Sequence, residues 1–81
     1  MTKFRIGKLE GEAHWSSVSG EAVVNTTCHY TQLNNFIKNI SQSVIGGRAH
    51  AWKYLTLRRA FGAYIISGPS DCINAVFGLN L

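Results

Sequence analysis

Eighty-one residues, an apolar share of 46% and a net charge of +4 describe one small folded domain with little surface to spare for its core. The charged share of 15% sits well below the usual ~25%, which excludes a highly charged disordered chain and leaves a surface of Ser, Thr, Asn and Gly. No run approaches the ~18 consecutive apolar residues of a membrane span, and Met1 to Lys8 alternates charge where a signal peptide is continuously apolar, so a soluble, cytoplasmic protein with no membrane partner is expected.

The first three elements alternate with a period of two. Lys3 to Leu9 places Phe4 and Ile6 opposite Arg5, and Glu10-Gly11 offers a tight turn. Glu12 to Val18 sets Ala13, Trp15 and Ser17 against His14, Ser16 and Val18, and Ser19-Gly20 is a second turn signal. Glu21 to Tyr30 carries Ala22, Val24, Thr26, Cys28 and Tyr30 on one face, with the β-branched content that suits a pleated surface. Three alternating runs joined by two short turns predict an antiparallel meander.

The period then lengthens. Leu33, Phe36, Ile37, Ile40 and Val44 recur every three or four residues and gather into one helical stripe, with Thr31 as its cap and Gly46 as its end. A second helix from Arg48 to Phe61 closes a helical hairpin through Gly46-Gly47. Its wheel sets His50, Tyr54, Leu57 and Phe61 on a core side and Arg48, Trp52, Leu55 and Arg59 on the other, flanked by Lys53 and Arg58. Ala63 to Ser67 reads as a short strand interior to the sheet, Gly68-Pro69 as a turn, and Ser70 to Phe77 as a short helix capped by Ser70, with Asp71 at its positive end and Gly78 as its stop. The expected architecture is α+β, in a single domain spanning residues 1–81: a three-stranded antiparallel meander with a later short strand, packed against a helical hairpin and a short C-terminal helix.

Residues that could carry chemistry are sparse. Cys28 and His29 are adjacent on an extended run and point to opposite faces, so they do not form a nucleophile and base. Glu10 and Glu12 flank a turn, and Asp71 is explained as a helix-start charge, which leaves no carboxylate pair for acid and base work. The spacing of Cys28, Cys72, His14, His29 and His50 matches no zinc pattern, and Gly46-Gly47 lacks the rest of a phosphate-binding loop. Two cysteines are too few for a disulfide scaffold and read as small buried hydrophobes, although a Cys28–Cys72 bridge would add roughly 4 kcal/mol. No catalytic residue, metal or cofactor is expected.

The charge is unevenly placed. Lys3, Arg5 and Lys8 are balanced by Glu10, Glu12 and Glu21, whereas from Ala22 to Ser70 there is no Asp or Glu at all and five basic residues, Lys38, Arg48, Lys53, Arg58 and Arg59. A one-signed stretch attracts anionic partners. Arg binds carboxylate and phosphate through a planar fork, and Trp offers a large contact area at low entropy cost. The expected binding residues are therefore Arg48, Trp52, Lys53, Leu55, Arg58 and Arg59, with Lys3 and Arg5 on a basic edge. They imply a non-enzymatic docking or inhibitor protein for a larger protein or ribonucleoprotein with an acidic or phosphate-bearing surface. Phage-type inhibitors of host defence such as anti-CRISPR proteins share this profile of size and charge, though no motif of such a family is present. The alternative is a direct DNA- or RNA-binding module that uses the basic second helix, or presents Lys3, Arg5 and Trp15 from the meander.

Overall fold

A computed structural model describes residues 2–42 and 47–81. Five strands, β1 (Thr2–Ile6), β2 (Leu9–Ser16), β3 (Glu21–Thr26), β4 (Thr56–Ala60) and β5 (Ala63–Gly68), form one antiparallel sheet in the order β1-β2-β3-β5-β4. Three helices, α1 (Tyr30–Gln42), α2 (Arg48–Trp52) and α3 (Ser70–Phe77), complete an α+β fold. The meander is present, and β5 is the expected interior strand, lying between β3 and β4.

The period of two sorts the sheet into two faces. On one, Ala13, Val24 and Ile66 stand in register and are wholly buried beneath Ile73 and Val76 of α3. The neighbouring row runs Phe4, Gly11, Thr26, Tyr64 and Arg59. Phe77 ties three elements together, with its ring 5.1 Å from Phe4 and 5.3 Å from Phe36 of α1. These offset and tilted contacts add to the burial of three large rings. Leu33, Phe36 and Ile40 bury the expected stripe of α1; Val44 and Gly46, which were to extend and end it, lie outside the described residues. Among the described residues no helix covers the opposite face of the sheet, which carries Lys3, Arg5, Glu10, Glu12, Asn25, Ile65 and Arg58.

Several boundaries differ from the sequence expectation. The first turn is Gly7-Lys8, between the paired residues Ile6 and Leu9, and Gly11 lies inside β2. A side chain at Gly11 would run into the Asn25 carbonyl oxygen and the Phe4 ring, so this glycine serves close packing between strands and not a turn. β3 ends at Thr26, whose hydroxyl donates to the Glu10 carbonyl at 2.5 Å. Tyr30 belongs to α1, and the helix starts two residues earlier than a Thr31 cap would place it. His29 supplies the cap: its Nδ1 accepts the Thr31 N–H at 3.2 Å, and Gln32 Oε1 accepts the His29 N–H at 3.2 Å, a reciprocal arrangement like a capping box. At α3 the capping position is Pro69, with Ser70 as the first helical residue, and Gly78 ends the helix at φ 67° as expected.

The largest difference is the second helix. It spans only Arg48–Trp52, after which the chain runs through the half-buried Leu55 into β4 and Phe61-Gly62 closes a hairpin to β5. Phe61 (φ 52°) and Gly62 (φ 75°) are both left-handed, between the paired Ala60 and Ala63, as in a two-residue type I′ hairpin. Thr56 to Ala60 pair in unbroken register with Ala63 to Ser67, so the backbone of this segment is satisfied as a strand. A segment with no acidic residue also has none of the i,i+4 ion pairs that would favour a helix. The intended core side is instead exposed: Tyr54 (59%), Leu57 (42%) and Phe61 (fully) all face solvent, as does His50.

Replacing Gly11 by Ala is expected to cost about 2–3 kcal/mol, because β2 and β3 must separate to admit the methyl group. The midpoint of urea unfolding measures it, and an unchanged midpoint would contradict the close approach at this position.

Candidate interaction surface

The residues expected to form one helical ridge fall into three groups. Arg48 turns inward: its Nη2 donates to the Val76 carbonyl at 2.8 Å, near the C-terminal end of α3, and its guanidinium lies 5.9 Å from the centre of the Phe36 ring. A cation beside unpaired carbonyls at a helix end is favourable, and a charge-assisted bond to a carbonyl is a strong one. Trp52 is half-buried and packs against the core. Leu55 is half-buried too, and its side chain lies over Gly68, leaving no room for a Cβ there. Arg48, Trp52 and Leu55 are thus joined to the body of the protein. The basic second helix, as a reader of a nucleic-acid groove, is not formed: α2 has five residues and its arginine is engaged.

Lys3 and Arg5 lie on β1, one edge of the sheet. Arg5 pairs with Glu10 directly opposite on β2 at 3.4 Å, and Lys3 faces Glu12. This edge is charge-balanced and not basic. A depression of about 720 Å³ opens here on the uncovered face, lined by Lys3, Arg5, Glu10, Glu12, Asn25 and Thr27, with both signs of charge present. Trp15 belongs to the opposite face, in register with Ala22, so the meander does not present it beside Lys3 and Arg5.

Arg58, Arg59 and Lys53 form the third group, all exposed, on and beside the other edge. Arg58 points to the uncovered face, in a row that runs Arg58, Ile65, Asn25, Glu12. The nearest carboxylate of that row is three strands away, roughly 14 Å at ~4.8 Å per strand and beyond the ~8 Å screening length of physiological salt. Arg59 points to the other face, 5.6 Å from the centre of the Tyr64 ring, in a row without any carboxylate. Among the described residues, the ion pair of Arg5 with Glu10 is the single one within 4 Å.

Thr56 to Arg59 of β4 are exposed at every position, on both faces of the sheet. Phe61 stands at the tip of this hairpin. A large side chain in the left-handed region costs on the order of 1–2 kcal/mol, and its ring, fully exposed, recovers nothing by burial. Sequence reasoning missed Leu57 and Phe61 because it assigned both to the core. The available signal was an X-Gly pair between two alternating runs.

The described residues contain no group of three or more His, Cys, Asp or Glu placed to hold a metal ion, and no helix long and apolar enough to cross a membrane. Cys28 and Cys72 are free thiols, each half-buried. No protein-family model, no curated protein and no solved structure matches this chain.

Arg48→Ala is expected to lower stability by about 1–2 kcal/mol and Trp52→Ala by roughly 2 kcal/mol, the first for a charged hydrogen bond and the second for a half-buried ring. Thermal unfolding reads both. A Trp52→Ala protein that melts at the wild-type temperature would place the indole outside the core.

Proposed function

We propose that this chain is a non-enzymatic docking protein that seats on an acidic surface of a larger protein or ribonucleoprotein and alters its action. Phage-type inhibitors of host defence, anti-CRISPR proteins among them, are one setting in which a small basic domain does such work. The observation that carries the reading is the β4–β5 hairpin: an outermost strand open on both faces, two arginines without a carboxylate partner among the described residues, and a fully exposed Phe61 held in an unfavourable backbone conformation. Exposed aromatic and arginine side chains dominate the energetics of protein interfaces. Strain and exposure together at one side chain are retained where that side chain has a task.

Direct binding of DNA or RNA is the competing reading, and the charge alone would serve it. The uncovered sheet face supports it poorly. Its rows hold Lys3, Glu12, His14, Asn25, Ile65 and Arg58, with no Phe, Tyr or Trp ring on which bases could stack and with carboxylates among the cations.

Tagged protein recovered from a lysate of its native host, before and after nuclease treatment, tests the reading. The expected result is a stoichiometric protein partner that survives nuclease, is kept by Arg48→Ala, and is lost by the Arg58→Glu/Arg59→Glu double variant. Recovery of nucleic acid alone would overturn it. Phe61→Asn adds an independent check, since Asn-Gly is the favoured type I′ pair: stability should rise by about 0.5–1 kcal/mol while partner binding falls at least tenfold. Unaltered binding by that variant would remove Phe61 from the interface.

A further inference from the structure

The docking reading leaves open how a partner engages the hairpin, and the outer rim of β4 carries a specific answer. Ala60 and Ala63 flank a two-residue loop, so they form a hydrogen-bonded pair, and in an antiparallel ladder such pairs recur at every second position, Arg58 with Ile65 and Thr56 with Ser67. The intervening residues, Leu57 and Arg59, direct their N–H and C=O groups away from β5. β4 is the outermost strand, so among the described residues these groups have no neighbouring strand.

An open edge invites pairing, and folded proteins guard it with proline, bulges, cover or charge. β4 has no proline, pairs in unbroken register and is exposed from Thr56 to Arg59, so Arg58 and Arg59 are its guard. The guard is selective. A second copy of the chain adding antiparallel to β4 brings arginine opposite or diagonal to arginine in each register centred on Leu57 to Arg59, and like charges so placed are destabilising. A strand bearing carboxylates meets the same two arginines favourably, one on each face of the sheet. The β1 edge offers no such preference, because Arg5 is paired with Glu10 and Lys3 faces Glu12.

Building on the docking reading, we propose that the outer rim of β4 is a strand-addition site for an extended acidic segment of a partner protein. Main-chain hydrogen bonds to Leu57 and Arg59 supply affinity, carboxylates on alternate faces reach Arg58 and Arg59, and an apolar residue of the incoming strand covers Leu57 and Phe61.

The isotope-labelled full chain is titrated with a ten-residue peptide of Val and Thr carrying four central Glu residues, with the same peptide carrying Lys, and with a ten-nucleotide oligo-dT. The expected result is binding of the Glu peptide alone, with amide exchange at Leu57 and Arg59 slowed at least tenfold. Leu57→Pro, which deletes an outward N–H and no bond to β5, should weaken that binding at least tenfold and keep the native spectrum. Absence of Glu-peptide binding at 1 mM, binding with unchanged exchange at Leu57 and Arg59, or equal binding of the Lys peptide or oligo-dT would each overturn the proposal. The exchange measurement on the unmodified chain stands even where Leu57→Pro does not fold. A host partner retained by Leu57→Pro yet lost by the double arginine variant would leave docking in place and refute strand addition, whereas loss of any protein partner refutes docking itself.

Discussion

The pairing of β3 with β5 is the contact on which this molecule depends. Val24 and Ile66, far apart in the chain, sit side by side without solvent exposure, and α3 closes over them with Ile73 and Val76. Only this ladder joins the N-terminal meander to the C-terminal hairpin in one sheet. Such a non-local pairing must overcome loop-closure entropy, and it does so by placing its apolar row beneath a helix that follows β5 directly.

The same pairing decides which strand is left open. Because β5 takes β3 as one neighbour, the strand that precedes it in the hairpin can occupy only its other side. β4 becomes the rim, and the arginines it carries come to face solvent on both sides of the sheet. The opposite rim is neutral for an equally local reason: β1 and β2 are adjacent in sequence, and their hairpin sets basic and acidic residues across from one another. One sheet thus has a balanced edge and a positive edge, and the asymmetry follows from strand order.

Arg48, Trp52 and Leu55 show how a single change of backbone period redistributes roles. On a long helix they share a stripe with Arg59. With α2 ending at Trp52, Arg48 closes the end of α3, Trp52 and Leu55 join the core, and Arg59 travels to the edge strand. The positive charge of this segment is real in either conformation, but its position in space belongs to the strand.

Strict alternation at Phe4, Arg5 and Ile6, and again from Ala22 to Thr26, was enough to read the meander, because a half-buried strand must send successive side chains to opposite faces. Leu33, Phe36 and Ile40 announced α1 by the same logic with a longer period, and the empty acidic column from Ala22 to Ser70 announced a positive surface. Lys53 to Gly62 was not legible in that way. Its apolar residues satisfy a period of two and a period of 3.6 alike, so the apolar period alone could not choose between strand and helix. The choice came from β5, whose free side needed a hydrogen-bonding neighbour, and backbone pairing of that kind is a property of the assembled sheet.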